Sequence, residues 1–184
     1  MSIQLVMINT SSTEEIDALT HFFCSQEWPY HSVNRMSSEQ IKNRIESNYF
    51  HNSNAISFWI VQSNAPQHHI GFIRLFDLED IGDGSPLFDL RISESFRGKG
   101  IGKLALSKLV EYVFTTWPHQ LRIEGTTRVD NLAMRKAFES NLFVKEGHYR
   151  KTWPNANGDL MDTVHYALLK SDWEKHEVTP VPWD

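Results

Sequence analysis

The residues with the clearest chemical potential are three glycines at alternate positions, Gly98, Gly100 and Gly102. They follow an apolar strand pattern and come just before a long amphipathic helix pattern. Glycines at this spacing let successive backbone N–H groups converge on one point, and the first turn of a helix adds unpaired donors and the positive end of its dipole. The sequence therefore predicts an anion site, and a phosphate or pyrophosphate is the ligand that fits it.

Two elements must position this turn, the strand before it and the helix after it. In the predicted strand 87–92, Leu87, Asp89 and Arg91 point to one face. The other face of the strand carries Phe88, Leu90 and Ile92. The apolar side of the helix is formed by Ile101, Leu104, Ala105, Val110, Val113 and Phe114. A proline disfavours helical geometry in the residue before it, so the helix is expected to end near Trp117.

Two other phosphate-binding patterns and a ligand-free turn compete for these glycines. A P-loop needs a serine or threonine after its Gly-Lys pair, but Gly102-Lys103 is followed by Leu104. A dinucleotide fingerprint needs Gly-x-Gly-x-x-Gly and an acidic residue about 20 positions further on, where this chain has Trp-Pro-His-Gln at 117–120. A turn without a ligand would be favoured if the glycines stood alone, but further matching elements accompany them.

The segment 97–102, Arg-Gly-Lys-Gly-Ile-Gly, resembles the Arg/Gln-x-x-Gly-x-Gly/Ala signature of the GNAT superfamily of N-acetyltransferases. A second element is similar to the family's Asn-x-x-Ala/Ser…Glu-x-x-Gly-Phe pattern and consists of Asn131, Phe138-Glu139 and Phe143. The closing segment 158–173 resembles the end of the RimJ/RimL-type branch. The resemblance covers residues 1–173 and is most specific from Asp89 onward.

The resemblance implies an α/β (α+β) fold with a mixed, largely antiparallel sheet of about seven strands, flanked by about four helices. The sheet is splayed between its fourth and fifth strands, and acetyl-CoA wedges into the opening. Diverging strands leave N–H and C=O groups unpaired, and the amides of pantetheine can pair with them like an added strand. No metal is expected as a cofactor.

The resemblance also assigns residues to acetyl-CoA. Backbone groups of Leu90, Arg91 and Ile92 would hold the pantetheine and the acetyl carbonyl, and Asn131 would reach the pantetheine arm from across the cleft. The pyrophosphate would be held by the turn and the start of the helix, which comprise Arg97, Gly98, Lys99, Gly100, Ile101, Gly102 and Lys103. For Asn131 the alternative is a polar residue in the first turn of a helix that the preceding residue already caps.

Family chemistry is direct transfer, in which an amine attacks the thioester and a strand-four N–H holds the resulting oxyanion. An amine with a pKa of about 10 is charged at neutral pH, so a carboxylate must help to remove a proton before the attack. Asp89 and Glu124, one on each diverging strand, are the predicted catalytic candidates. Each is also compatible with an ordinary strand-face carboxylate, and Asp83 and Asp162 stay open as alternatives.

Three positions depart from the family pattern. Phe138, which is expected to contact the cofactor, stands where many members carry a tyrosine that protonates the departing thiolate. Met134 stands where RimJ/RimL-type members often carry a serine, and Leu142 replaces a glycine. Tyr166, Tyr149, another donor or water could supply the proton, or the acid step could be dispensable for a thiolate that leaves readily.

Other residues with chemical potential are better explained by packing. His68 and His69 point to opposite faces of a strand without further ligands at a suitable spacing, which favours a hairpin-edge pair over a metal site. Cys24 ends an apolar helical stripe and is interpreted as a packing residue rather than a nucleophile. The segment 28–31, Trp-Pro-Tyr-His, lies in a region that borders the acceptor site in this family. An acceptor wall, core packing and surface capping are all compatible with it.

The full pattern predicts strand, two helices, three strands, helix, strand, helix and two strands. Capping signals start the first two helices at Ser11 or Ser12 and at Ser37, and Asp130 is expected to cap the fourth. Asn155–Gly158 is expected to turn the last hairpin. Besides the strand at 87–92, early and middle strands are predicted over Met1–Ile8, Ile56–Gln62, His69–Phe76 and Leu121–Gly125.

Composition bounds the class of protein. A chain of 184 residues with 40% hydrophobic residues can bury the core of one domain, which we place at residues 1–173, with residues 174–184 as a C-terminal tail. The single cysteine excludes an internal disulfide and a multi-cysteine zinc site. A net charge of −5 argues against nucleic acid as a partner. No apolar run is long enough to indicate a membrane span, so we expect a cytoplasmic protein, and a homodimer stays open.

These features predict an acetyl-CoA-dependent N-acetyltransferase that moves an acetyl group directly from the thioester to a primary amine. The candidate acceptors are a protein N-terminus or a small amine such as a polyamine, an aminoglycoside or an amino-acid derivative. The alternative is a non-catalytic acyl-CoA-binding or sensing module, which the missing tyrosine and serine donors keep open.

Overall fold

The computed structural model describes residues 2–155 and 157–183, which form seven strands and five α-helices. The strands are β1 (Ile3–Met7), β2 (Ala55–Gln62), β3 (Ala65–Phe76), β4 (Leu87–Ile92), β5 (Arg122–Arg128), β6 (Val144–Pro154) and β7 (Leu160–Leu169). The helices are α1 (Thr13–Cys24), α2 (Ser38–Glu46), α3 (Ile101–Thr116), α4 (Leu132–Glu139) and α5 (Lys170–Lys175). The predicted order is confirmed through β7, and α5 is an additional short helix.

The strands form two antiparallel sheets, of order β1-β2-β3-β4 and β5-β7-β6. The sheets touch where β4 begins, because the Glu124 N–H donates to the Pro86 carbonyl at 3.4 Å. Beyond this bond, β4 and β5 form no ladder in the described residues. The predicted splay between the fourth and fifth strands is therefore confirmed, and we call the gap between β4 and β5 the split.

Different helices cover the two faces of the first sheet. α3 packs on one face, and the core beneath it also takes in Phe88, Leu90 and Ile92 of β4. α1 and α2 pack on the other face, over an aromatic core that includes Phe22, Phe23, Trp28, Phe50, Trp59 and Phe72. The Arg91 guanidinium lies 5.1 Å from the centre of the Phe23 ring, so Asp89 and Arg91 are on the α1–α2 face. The alternation predicted for β4 is confirmed.

Side-chain caps begin α1 and α2 as the sequence predicts. The Ser12 hydroxyl accepts from the Glu15 N–H at 3.4 Å. Ser37 forms a full capping box, because its hydroxyl accepts from the Gln40 N–H at 3.2 Å and the Gln40 side chain accepts from the Ser37 N–H at 2.9 Å. Each cap satisfies a donor that the helix itself leaves unpaired.

The cap predicted for α4 is wrong by one residue. Asn131 is the N-cap, and its side-chain oxygen accepts from the Met134 N–H at 3.2 Å. Asp130 instead accepts a bidentate pair from Arg128, at 2.6 and 3.0 Å. A strong cation two residues earlier, at the end of β5, therefore takes the carboxylate that would otherwise cap the helix.

Strand bounds differ modestly from the prediction. Of the segment Met1–Ile8, Met1 lies outside the described residues and β1 covers Ile3–Met7. β3 begins at Ala65, because it pairs with β2 immediately after a two-residue turn. β5 continues past Gly125 to Arg128, because β7 pairs with it along its whole length. In the turn predicted at 155–158, Ala156 lies outside the described residues.

The chain after β7 turns back onto the fold. The Trp173 ring of α5 packs 5.4 Å from the Phe114 ring of α3. The buried Asp172 carboxylate accepts from the Thr179 N–H at 2.9 Å and from its hydroxyl at 2.7 Å, which fixes the chain beyond α5. Among the described helices, none is long and apolar enough to cross a membrane.

Candidate active site

The turn between β4 and α3 presents a row of free backbone donors. Within residues 2–155 and 157–183, the six N–H groups of residues 98–103 have no protein acceptor, and the Leu104 N–H is the next with one, at 3.2 Å from the Gly100 carbonyl. Gly98 and Gly100 have positive φ angles of 71° and 78°, which favour glycine. Adjacent free donors at the start of a helix match the requirements of a pyrophosphate.

Gly102 differs from the other two glycines of the turn. It does not share their positive φ. A Cβ atom added there would meet the Ile92 side chain only at 3.9 Å, which is ordinary contact. The fold itself therefore does not require glycine at this position, and the space above it is open to a ligand.

The side chains of Arg97 and Lys99 donate hydrogen bonds to backbone carbonyls of the protein and are not free to bind a ligand. Arg97 donates to the Ile92 carbonyl at 3.0 Å and to the Glu27 carbonyl at 2.7 Å, and its guanidinium lies 5.3 Å from the buried Trp28 ring. The Lys99 ammonium donates to the Ser95 carbonyl at 2.7 Å. These contacts fix the shape of the turn and leave anion binding to its backbone N–H groups.

The edge of β4 at the split carries the backbone groups of Leu90 and Ile92. The Ser93 N–H donates to a β3 carbonyl at 3.0 Å, and bonded pairs alternate in an antiparallel ladder. The Arg91 backbone therefore points to Phe72 on β3, which corrects the expectation that its backbone holds pantetheine. Leu90 and Ile92 point the other way, toward the split.

Phe138 of α4 fills the space between β4 and β5 on the α3 side. Its ring is 1% exposed, stacks on Tyr166 at 4.8 Å and lies 6.0 Å from the Phe88 ring. A Cβ atom added to Gly125 would come within 2.6 Å of the ring, so the glycine lets the two meet. An aromatic ring without a hydroxyl thus stands at the base of the split.

Both ends of the Asn131 side chain are engaged inside the protein. Its oxygen caps α4, and its amide nitrogen donates to the Thr127 hydroxyl at 3.0 Å. Contact between Asn131 and pantetheine stays a prediction, and one amide hydrogen and one oxygen lone pair remain for it.

The loop between α1 and α2 spans the split on the face opposite α3. On the β4 side, His31 Nε2 lies 3.0 Å from Asp89 Oδ1. On the β5 side, Arg128 donates to the Pro29 carbonyl at 2.9 Å, and its guanidinium lies 5.4 Å from the Tyr30 ring. The loop therefore bridges both diverging strands, and the even-numbered residues of β5 share the face of Asp89.

Asp89 is clamped by two partners. Arg91 donates to it through Nε and Nη2 at 3.0 and 2.9 Å, and His31 contacts its other oxygen. Burial alone raises the pKa of the Asp89 carboxyl, but the Arg91 charge and the His31 hydrogen bond outweigh it and hold that pKa well below its usual range. A carboxylate in this state is a weak proton acceptor, which argues against Asp89 as the general base.

Glu124 of β5 also has a cation and a histidine as partners. Arg122 contacts its Oε1 at 2.7 Å, and His165 Nε2 of β7 lies 3.1 Å from its Oε2. Arg122 also donates to Glu146 at 2.9 Å, so its charge is divided between two carboxylates. The second nitrogen of His165, Nδ1, lies 3.3 Å from the hydroxyl of the exposed Thr126.

An open pocket of about 470 Å³ lies next to Glu124, where β4 and β5 begin. Its acidic lining consists of Asp77, Asp80, Asp83 and Glu124. Arg122 also lines the pocket, together with glycines and serine of the loop before β4. This lining favours a cationic guest, and it places the predicted alternative Asp83 beside Glu124 rather than apart from it.

Asp162, the other alternative carboxylate, is engaged on β7. It accepts from His148 at 2.8 Å and from the Lys151 N–H at 2.9 Å. The His148 hydrogen bond, followed by that of the Lys151 backbone, lowers the pKa of Asp162. Its two oxygens therefore already have donors.

The two tyrosines proposed as proton donors have different surroundings. Tyr166 is 1% exposed, and its hydroxyl lies 3.2 Å from Glu139 and 3.3 Å from Arg135, so it is directed at α4. Tyr149 of β6 is 50% exposed, and its ring lies 6.4 Å from the His165 ring. Of the two, Tyr149 is the exposed one, and it lies beside His165 of β7.

The packing interpretations of the other reactive residues agree with their surroundings. The His69 ring stacks on Trp59 at 4.2 Å, and burial lowers its pKa. Cys24 packs against the aromatic core, and burial raises the pKa of its thiol. In the part of the chain that the structure describes, no group of three or more His, Cys, Asp or Glu residues could hold a metal ion.

Three polar residues of this face are not singled out as functional by the sequence alone: His31, His165 and Thr126. His31 meets Asp89 across 58 positions of the chain, and Thr126 meets His165 across 39. Only the pairing of β5 with β7, in which residue 126 stands opposite residue 165, brings the second pair together. The segment 28–31 marks the region of His31 but not its partner.

Known proteins resemble this chain in sequence and in fold. The pattern of the Acetyltransferase (GNAT) domain family matches residues 5–144. The uncharacterized N-acetyltransferase p20 of Bacillus licheniformis is 31% identical over 98 residues, covering 53% of this chain and 54% of that protein. YdaF of Bacillus subtilis (strain 168), named as a candidate ribosomal N-acetyltransferase, is 33% identical over 104 residues, covering 56% and 55%. The chain thus spans about half the length of these curated relatives.

A solved structure extends the comparison to the whole fold. The spermidine N-acetyltransferase of Vibrio cholerae, in complex with CoA and spermine, superposes with a TM-score of 0.78 at 18% identity. The match covers 94% of this chain and 98% of that one. With the family pattern over most of its length, the glycine turn at the start of α3 and the split between β4 and β5, this chain belongs to the GNAT acetyltransferase family.

Proposed function

We propose that the protein is an N-acetyltransferase that moves an acetyl group from acetyl-CoA to a primary amine. The observation that carries the proposal is the row of free N–H groups at residues 98–103, set at the end of a strand whose other edge opens into the split. Membership of the GNAT family and N-acetyltransferase relatives support the same chemistry.

The residues of the turn and split fit acetyl-CoA, which supplies an activated acetyl thioester when bound. The backbone of residues 98–103 would hold its pyrophosphate, because the free donors there can pair with its oxygens. The outward backbone groups of Leu90 and Ile92 would pair with the pantetheine amides and offer an N–H to the acetyl oxygen. Phe138 would close the base of the split with an apolar surface.

The α1–α2 face would receive the acceptor amine. The acidic pocket beside Glu124 attracts a cation, and a carboxylate with a neighbouring histidine can help to take the proton that the ammonium must lose. Approach from this face brings the amine to the split opposite α3. The protein thus positions two reactants and supplies polar groups on each side, which is the main source of rate in a direct transfer.

The proposed acceptor is a primary amine, and two kinds of primary amine have support. A protein N-terminus fits the RimJ/RimL-type resemblance and the name of YdaF. A small cationic amine such as a polyamine, an aminoglycoside or an amino-acid derivative fits the acidic pocket, and the Vibrio cholerae structure holds spermine. The pocket favours the small cation.

The test combines calorimetric titration of acetyl-CoA with free-thiol release in the presence of single amines and N-terminal peptides. We expect binding, and thiol release only when an accepted amine is present. Binding without release across the whole panel would favour the alternative, an acyl-CoA-binding or sensing module. Absence of binding would refute the proposal.

A further inference from the structure

Thr126, His165 and Glu124 form a continuous chain of polar contacts on the α1–α2 face of the split. The Thr126 hydroxyl lies 3.3 Å from His165 Nδ1, and His165 Nε2 lies 3.1 Å from Glu124 Oε2. Thr126 and His165 stand directly opposite each other in the β5–β7 ladder, which fixes their spacing. A hydroxyl, an imidazole and a carboxylate thus follow one another in a fixed order.

The chain runs from the exposed Thr126 hydroxyl to the half-buried Glu124 carboxylate, which also lines the acidic pocket. Thr126 is exposed, and alternation along β5 turns its backbone toward the split, as the bond from Glu124 N–H to the Pro86 carbonyl shows for the same edge. The His165 and Glu124 side chains are 17% and 21% exposed. The hydroxyl is therefore the most exposed member of the chain.

The partners of His165 fix the direction in which a proton can travel. The Glu124 carboxylate lies 3.1 Å from Nε2 of His165 without the geometry of a hydrogen bond, and its negative charge favours the tautomer that carries the hydrogen on Nε2. Nδ1 of the neutral ring is then an acceptor, and the Thr126 hydroxyl donates to it. The lone pairs of the Thr126 oxygen remain available to an ammonium at the split.

We propose that this chain is a proton relay for the acceptor amine, in which Thr126 contacts the ammonium and His165 receives the proton. The inference rests on the proposed acetyl transfer. One ammonium N–H bond breaks as its proton passes to the Thr126 oxygen, and the original hydroxyl proton passes to His165 Nδ1. The amine lone pair becomes free to attack, Thr126 returns to a neutral hydroxyl, and the imidazolium is paired with Glu124.

In this relay Glu124 is a positioning residue rather than the base. Its two oxygens lie 2.7 Å from Arg122 and 3.1 Å from His165, and its charge favours the imidazole tautomer that accepts at Nδ1. The groups that face His165 are Glu124 and Thr126 from β5 and the Tyr149 ring from β6, and Arg122 and Glu146 lie behind Glu124. Protonation of His165 before reaction would block the relay, so the relay requires the neutral imidazole.

The test compares Thr126→Val with Thr126→Ser, which remove and keep the hydroxyl at an exposed strand position. We expect kcat for thiol release to fall about 100-fold in Thr126→Val and in His165→Gln, and to stay within about threefold of the wild type in Thr126→Ser. Acetyl-CoA affinity, measured by calorimetry, should be unchanged in all three. The double variant Thr126→Val/His165→Gln should be no slower than either single variant, because both act on one path.

The pH profile gives a readout that a purely structural role would not change. The wild-type kcat should fall on the acidic side, and this limb should be absent in His165→Gln. Full activity in Thr126→Val, losses that multiply in the double variant, or an unchanged acidic limb in His165→Gln would each overturn the relay while leaving acetyl transfer intact. A wild-type protein that binds acetyl-CoA but releases no thiol with any amine would instead refute the proposed function, and the relay with it.

Discussion

Two carboxylate–histidine pairs flank the split, Asp89 with His31 on the β4 side and Glu124 with His165 on the β5 side. Their contact distances are nearly the same, 3.0 and 3.1 Å, and the exposed fractions of the two carboxylates are also close, 17% and 21%. Neither residue type nor exposure separates the pairs. The difference lies in the groups around them.

The β4 pair ends inside the protein, whereas the β5 pair continues to an exposed hydroxyl. Among the described residues, His31 Nδ1 and Arg91 Nη1 are buried and have no hydrogen-bond partner. Arg91 is 5% exposed and Arg122 is 30% exposed. The same pair of residue types therefore fixes a loop to a strand in one place and offers a proton route in the other.

Removing the charge of each carboxylate in turn should change the stability of the protein by very different amounts. Asp89→Asn leaves the buried Arg91 guanidinium without a counter-charge, and we expect it to lower the free energy of unfolding by about 3 kcal/mol. Glu124→Gln leaves Arg122 paired with Glu146, and we expect a loss of at most about 1 kcal/mol. Urea denaturation of both variants measures the difference.

A matched control tests the cause assigned to the Asp89 effect. In Asp89→Asn/Arg91→Met the unpaired cation is gone, so part of the lost stability should return. Equal losses in Asp89→Asn and Glu124→Gln would contradict the structural role given to the β4 pair.

The clamp on Asp89 should also make the stability of the protein depend on pH. Folding lowers the pKa of Asp89, so the unfolded state binds the proton more tightly, and the stabilisation is complete above the unfolded pKa of about 3.9. It is lost as the pH falls below that value toward the folded pKa. Unfolding free energies measured from pH 7 to pH 3 should therefore fall less steeply in Asp89→Asn than in the wild type, and parallel curves would argue against the clamp.

A substitution in a third region, the glycine turn, should weaken acetyl-CoA binding without changing either carboxylate–histidine pair. Gly102→Asp places a negative charge at the start of α3, where it favours the helix by a few tenths of a kcal/mol but repels a bound pyrophosphate. We expect acetyl-CoA affinity to fall about tenfold, or about 1.4 kcal/mol. The neutral Gly102→Asn is the control, and calorimetry should show a much smaller loss in it. Equal affinity in the two variants would place the pyrophosphate elsewhere.

The smallest expected effect concerns a tyrosine that lies behind the split. The Tyr166 hydroxyl contacts Glu139 and Arg135 of α4, so Tyr166→Phe should cost about 1 kcal/mol of stability. Its kcat should stay within about twofold of the wild type, as measured by thiol release. A large fall in kcat without loss of acetyl-CoA binding would make Tyr166 the missing acid.

The sequence predicts those parts of the fold that local patterns determine. The alternation in β4 separates its polar and apolar faces over only six residues, and the capping box at Ser37 is complete within four. α5 is missed because it has six residues, and its Trp173 packs on Phe114, far away in the chain. Asp130 is assigned wrongly because its partner Arg128 outcompetes a local cap.

For the site, the sequence predicts the turn at residues 98–103 well, because glycine spacing acts on the adjacent backbone. It predicts two carboxylates on the polar face but not their partners. His31 lies in the α1–α2 loop and His165 in β7, and both are distant in sequence from the carboxylates that they contact. The direction of the Arg91 backbone depends on the register with β3, which one strand alone does not encode. Contacts between distant segments account for most of what the sequence leaves open.

Mass spectrometry of a panel of primary amines, incubated with the wild-type protein and acetyl-CoA, is the decisive test of acetyl transfer. We expect that at least one amine gains an acetyl group at a rate proportional to protein concentration, and that Gly102→Asp slows this reaction at limiting acetyl-CoA. A folded protein that binds acetyl-CoA and acetylates none of the small amines or N-terminal peptides would contradict it.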